Sequence, residues 1–229
     1  MLVSRRHLVV GAAAVASYSA AMAQKLVATS AQDLGPFYPI IRPADHDADL
    51  TRVKGRDGVA KGKPINVIGR VVDLHGNAIA NAEVELWQCN SEGRYDHTGD
   101  RANPTPLDPN FQGFARLATD RDGQFKFRSV KPKDYDTPIG RRTPHIHFDV
   151  RGRAERLVTQ MYFPNEPLND IDFLLKNAAP RGVKAKIRSW YIAIRVCSSS
   201  SSALPACSRI STRSVIHGCS VWAATAPSL

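Results

Sequence analysis

Short β-branched segments recur at close spacing along this chain, and no window of twelve residues carries a helical stripe of apolar side chains except a short one around 168–177. Glu83-Val84-Glu85-Leu86-Trp87-Gln88-Cys89 alternates cleanly, so Val84, Leu86 and Gln88 fall on one face of an extended segment. Ile65 through Asp73 is β-branched with partial alternation, and His75-Gly76-Asn77-Ala78 supplies the turn after it. Further strands are expected at 113–119, at 124–128 after the Asp122-Gly123 turn, at 145–151 and at 156–163. Strands this short, joined by Gly, Pro and Asp turns, have to stack sheet on sheet to bury a face, which predicts an all-β sandwich or barrel. Residues 24–63 are poor in periodicity and rich in Pro, Asp and Gly, and read as an irregular arm ahead of a sandwich domain over 64–183.

Charge separates the two ends from this body. Of 31 Lys and Arg, two lie in residues 1–24 and six in 184–229, and neither segment holds an acid. The body keeps 23 basic against 21 acidic residues, a near-neutral balance without a basic stripe, which argues against a nucleic-acid partner. Arg5-Arg6 opens an apolar, Ala-rich run that closes on Ala21-Met22-Ala23, so residues 1–23 read as a signal peptide of the twin-arginine type. That reading implies an exported, periplasmic protein. The apolar run is shorter than the ~20 residues a bilayer core requires, so the mature form is expected to hold no membrane span. The segment 184–229 is acid-free and Ser-rich, with Ser198 through Ser202 as a homopolymer and three cysteines, Cys197, Cys207 and Cys219. It reads either as a flexible tail or, the reading favoured here, as translation out of frame.

Two clusters carry chemistry. One runs from Trp87 through Tyr95 to His97, a strand passing into a loop; the other joins Tyr135 to Arg142-Thr143-Pro144-His145-Ile146-His147-Phe148. Two histidines at i and i+2 on a strand share a sheet face and sit close enough to hold one ion, although a His-x-His pair is also a common surface or core feature. Zinc would require a third His, Cys or carboxylate, and a ferrous facial triad a nearby Asp or Glu. Asp149 continues the alternation and is a candidate for that carboxylate, its other reading being a solvated charge at a strand end.

Ordered blocks along residues 33–172 resemble the intradiol ring-cleaving catechol and protocatechuate dioxygenase family, most closely its metal-bearing β subunits. They are Gly35-Pro36-Phe37-Tyr38-Pro39, Gly69-Arg70-Val71-Val72-Asp73, Val84-Glu85-Leu86-Trp87-Gln88 and Gly93-Arg94-Tyr95-Asp96-His97. Leu107 through Gly113, Thr119 through Gly123, Pro144 through Phe148 and Arg156 through Phe163 continue the series. The resemblance implies a sandwich that holds non-haem Fe(3+) through Tyr95, Tyr135, His145 and His147, with Tyr135 as the ligand that substrate displaces. Phenolate is a hard anion, and a trivalent cation can keep it ionised far below its free pKa of ~10. The activity implied is insertion of both atoms of O2 into a catechol-type, protocatechuate-like aromatic to give a cis,cis-muconate. Arg142 matches the family's pocket arginine, suited to charge that develops on the ring and on oxygen. Gln160 matches a residue on the oxygen side, and Cys89 reads as a small buried residue where the family usually has Ala. The partners implied are a catechol-type substrate and O2, in an oligomer of one or two subunit types.

The chain departs from the family at Tyr135-Asp136-Thr137, where Tyr-Pro-Trp is usual, and in the short spacing from Tyr135 to His145. The absent Trp leaves the substrate open. A rival reading keeps the sandwich without the chemistry. Gly69-x-Val71-x-Asp73 followed by Gly76 and Ala82-x-Val84 is also the strand-turn-strand pattern of prealbumin-like binding or carrier domains, which predicts no iron. A cupin-type metalloenzyme is disfavoured, since no Glu follows His147 at a suitable spacing.

Overall fold

A computed structural model describes residues 26–178, 190–198 and 220–223. The leader expected at 1–23 and most of the segment after 183 lie outside the described residues.

The strands are β1 (Pro64–Asp73), β2 (Glu83–Trp87), β3 (Phe114–Ala118), β4 (Gln124–Val130), β5 (Tyr135–Thr137), β6 (Gly140–Arg142), β7 (His145–Arg151), β8 (Arg156–Tyr162), β9 (Trp190–Ser198) and β10 (Ser220–Ala223). They form one sheet in the order β10-β9-β1-β4, a second in the order β3-β2-β7-β8, and a small β5-β6 hairpin. The fold is all-β. Its one helix among the described residues, α1 (Phe173–Asn177), lies within the expected 168–177 stripe and follows a 3-10 turn at Pro167–Asp170.

Strand alternation sets the core. Ile65, Val67 and Val71 of β1, Phe125 and Phe127 of β4, and Ile192 and Ile194 of β9 face Val84 and Leu86 of β2, Ile146, Phe148 and Val150 of β7, and Leu157 and Met161 of β8. Gly69 occupies the same face of β1 opposite Phe125, and a Cβ there would lie 2.0 Å from the Phe125 ring. The glycine makes room for that ring. In the β3-β4 turn Asp120 Oδ1 accepts from the amides of Asp122 and Gln124, and Gly123 takes φ +74 where a Cβ would meet Val71 O at 2.4 Å.

The sandwich extends past residue 183. Strand β9 pairs antiparallel with β1 over nine positions, from Ile65 opposite Ser198 to Asp73 opposite Trp190, and buries Ile192 and Ile194 in the shared core. Strand β9 lies beyond the boundary expected at 183.

The irregular arm follows the rim of the fold. Gln32 N donates to Val158 O on β8, Arg116 N on β3 donates to His46 O, and Leu50 and Ala48 exchange backbone bonds with Arg128 on β4. These contacts cover sheet edges that would otherwise present unpaired amides and carbonyls. Between them the arm crosses the outer face of the β3-β2-β7-β8 sheet. This is why six consecutive residues of β7, His145 through Val150, are buried: one face lies in the core and the other under the arm.

Candidate metal centre

Alternation that sends Ile146, Phe148 and Val150 into the core sends His145, His147 and Asp149 to the outer face. Three other segments meet the two histidines there. The loop after β2 brings Tyr95, the β5-β6 hairpin brings Tyr135, and the arm brings Gly35 and Phe37. Tyr95 Oη lies 3.4 Å from Tyr135 Oη, Tyr135 Oη 3.2 Å from His145 Nε2, and His145 Nε2 3.2 Å from His147 Nε2. All four side chains are buried.

The orientation of each donor has a cause. His145 Nδ1 lies 2.6 Å from Thr143 O and donates to it, which leaves the lone pair on Nε2 facing the cluster. His147 stacks on Trp87 at 4.8 Å and 9°, and a Cβ on Gly35, which takes φ +78, would approach its Cε1 to 3.2 Å. Phe37 stacks on Tyr95 at 4.5 Å. Gly93, at φ +85, turns the chain into Tyr95 where a Cβ would press on Asp134 O at 2.8 Å, and Asp100 Oδ2 accepts from Tyr95 N.

Hydrogen bonding alone does not account for this set. The single in-plane lone pair of His145 Nε2 faces both Tyr135 Oη and His147 Nε2. His147 Nδ1 is buried without a hydrogen-bond partner among the described residues. Donors that converge at 3.2–3.4 Å have the spacing expected around an ion held at the ~2.0–2.2 Å of a metal–ligand bond. Burial also fits neutral imidazole donors. It pushes His145 down to about 3, with Arg142 adding repulsion, and drives His147 well below its usual range, with His145 and Arg142 adding to the effect. Burial raises Tyr95 and Tyr135, so both phenols stay protonated unless a cation compensates them.

Among the described residues no three His, Cys, Asp or Glu side chains gather as a metal site. Asp149 is not the third ligand, nor a solvated strand-end charge. It is fully buried and ion-paired to Arg151 Nη2 at 2.5 Å and Arg156 Nη2 at 2.8 Å. Opposite it in register, Glu85 accepts from Tyr38 Oη and Arg42 Nε, both at 2.6 Å, and so fastens the arm beside the site. Cys89 is buried with its thiol pushed up to about 12 by desolvation, and it donates to Lys133 O.

Arg142 and Gln160 meet next to the donors. Arg142 pairs with Tyr135 across the hairpin, its Nη2 donates to Gln160 Oε1 at 2.7 Å, and its Nε donates to Asp172 Oδ2 at 2.9 Å. Tyr162 Oη, 3.1 Å from Gln160 Oε1, completes this group. The sequence signals did not single out Asp172, Tyr162, Thr143 or the arm clamp Glu85. The signal that could have found Asp172 is that of a helix N-cap, an Asp three positions ahead of an apolar Leu175.

The buried imidazoles set a pH dependence. In the metal-free protein His145 stays neutral down to about 3, whereas in the unfolded chain it binds its proton near 6.5. Across that window the unfolded state holds more protons, so this contribution is complete above ~6.5 and declines as pH falls towards 3, by on the order of a few kcal/mol. Urea midpoints of the metal-free protein at pH 7 and 4.5 check this: the drop should be smaller in His145→Gln, and an equal drop in both proteins contradicts it.

A family model described as "Dioxygenase" matches residues 34–191. The protocatechuate 3,4-dioxygenase beta chain of Burkholderia cepacia is 43% identical over 143 residues, 60% of this chain and 57% of that protein. Hydroxyquinol 1,2-dioxygenase of Rhizobium sp. (strain MTP-10005) is 32% identical over 122 residues, 47% of this chain and 40% of that protein. Among solved structures, the dioxygenase domain of a dioxygenase–carbohydrate-binding protein fusion from Streptomyces sp. SirexAA-E superposes with a TM-score of 0.50 at 28% identity, covering 65% of this chain and 82% of that one. The chain thus spans 57% and 40% of the length of the two curated relatives.

Proposed function

Because the chain belongs to the intradiol ring-cleaving dioxygenase family, we propose that it is a non-haem Fe(3+) enzyme that inserts both atoms of O2 into a catechol-type, protocatechuate-like aromatic, giving a cis,cis-muconate. The observation that carries this reading is the convergence of Tyr95 Oη, Tyr135 Oη, His145 Nε2 and His147 Nε2 at 3.2–3.4 Å in a buried site. These four residues would hold the iron, which when bound ionises the phenols and activates the aromatic substrate towards O2.

The protein's own groups supply the rest. Trp87 and Gly35 hold His147 between them, and Thr143 O fixes the tautomer of His145, so neither imidazole has to reorganise. Tyr135 is the less buried phenol, 7% exposed against 3% for Tyr95, and stands on a short hairpin. Its Oη would take up a proton from a catechol hydroxyl, since burial favours the protonated form. Arg142, held charged beside Asp172, offers a guanidinium to negative charge on the ring and the incoming oxygen. Gln160 Oε1 receives the Arg142 donor and keeps it in the pocket. Phe37, stacked on Tyr95, closes the site against water. The Arg5-Arg6 leader supports export of the protein to the periplasm.

Iron content, visible absorbance and oxygen uptake with a panel of catechols test this reading. The expected result is a coloured protein with tyrosinate-to-iron absorption that consumes O2 with at least one catechol. A colourless protein after iron reconstitution, with no oxygen uptake, overturns it and favours the carrier domain.

A further inference from the structure

We propose that Asp172 is a positioning residue: its carboxylate anchors the Arg142 guanidinium in the one orientation from which its remaining donor meets the substrate. The inference rests on the ring-cleaving reading of the site and adds a residue to it.

Asp172 is completely buried, and its two oxygens have separate partners. Oδ1 accepts from Leu175 N at 2.9 Å and caps α1. Oδ2 accepts from Arg142 Nε and from Thr143 N, both at 2.9 Å. On the guanidinium, Nε is thus pinned by Asp172, and Nη2 is pinned by Gln160 Oε1 at 2.7 Å with Tyr162 Oη at 3.5 Å. Nη1 makes no hydrogen bond among the described residues. A guanidinium is planar and rigid, so holding two of its nitrogens fixes the direction of the third. The bond to Thr143 N ties the same oxygen to the strand that leads into His145, which sets the guanidinium in register with the donor cluster.

A capping role alone does not explain a charged residue here. A five-residue helix needs only one acceptor, and Ser serves as an N-cap as well as Asp. Burying an ion pair is also a poor route to stability compared with apolar packing. The second oxygen and its charge are accounted for by Arg142.

The test is a double-mutant cycle on the iron-loaded protein: wild type, Asp172→Ser, Arg142→Ala and the combination, with protocatechuate as the probe for turnover and 4-nitrocatechol for binding. Ser keeps the cap and is too short to reach Arg142. Asp172→Ser should retain iron at the wild-type level and lower kcat by ~10²-fold, the loss seen when a single aligned donor is removed from a reacting centre. In the Arg142→Ala background the same change should alter kcat by less than about threefold, because the two residues act as one unit. An equal loss in both backgrounds, or an unchanged kcat in Asp172→Ser, overturns the proposal. If Asp172→Ser does not fold, Asp172→Asn takes its place in the cycle with the same criteria. Absence of turnover in the wild type with every catechol sinks the ring-cleaving reading instead. The cycle is then read on 4-nitrocatechol affinity, where non-additive losses uphold the anchor and additive losses overturn it.

Discussion

His147→Ala should yield a folded protein that no longer retains iron and that cleaves catechols more than ~10³-fold more slowly than the wild type. Removing groups that merely orient a metal ligand costs 10–100-fold, and deleting a ligand itself costs more. The substitution is informative because His147 contributes little to folding. Its Nδ1 is buried without a partner, an arrangement that costs about 1–3 kcal/mol and offsets much of what the ring gains by stacking on Trp87. Loss of the ring therefore leaves the sandwich intact and removes one of the four converging donors. Circular dichroism establishes the fold, and iron per chain decides the outcome. Iron held at wild-type stoichiometry would remove His147 from the metal set.

Phe148→Ala should be the most damaging single change in the core, lowering stability by about 3–5 kcal/mol. Phe148 is fully buried, and its ring meets Phe125 and Phe127 of the opposite sheet at centroid distances of 5.9 and 6.1 Å. No neighbour can close the resulting space cheaply, since both facing rings belong to β4, whose register on β1 is fixed over seven positions. Against a total stability of ~5–15 kcal/mol, the loss corresponds to a thermal midpoint lower by on the order of 10 °C. Phe148 also lies between His147 and Asp149 on β7, so the iron-loaded form should lose part of its added stability as well. Thermal and urea midpoints of Phe148→Ala and Phe148→Leu check this. Phe148→Leu should recover more than half of the loss, and a cost below about 1 kcal/mol for the alanine variant would contradict the packing described.

Much of this molecule was legible from local pattern. The strands at β1, β2, β3, β4, β7 and β8 follow from alternation and turn residues, and Val84 and Leu86 share one face as expected, which the fold turns into the core. The hairpin that carries Tyr135 and Arg142 was not legible, because strands of three residues are too short to show a period. Strand β9 was hidden for another reason. Composition averaged over residues 184–229 is dominated by Ser and by the absence of acids, which masks the alternating Ile192 and Ile194 inside it. Asp149 was read from its spacing as a ligand or a solvated charge. The fold decided otherwise: Arg151 of the same strand and Arg156 of the neighbouring β8 both pair with it.

The amino-acid sequence by itself determined the sandwich, the face on which His145 and His147 stand, and the family to which the chain belongs. Side-chain direction along a strand is set by covalent geometry, and the family is written in ordered blocks of residues. Tertiary structure alone decided that Tyr95 and Tyr135, 40 positions apart, touch at the phenol oxygens, and that Asp172 holds Arg142 from 30 positions away. Such contacts depend on sheet register and on the path of the arm and hairpin across the outer face. No local period encodes either one.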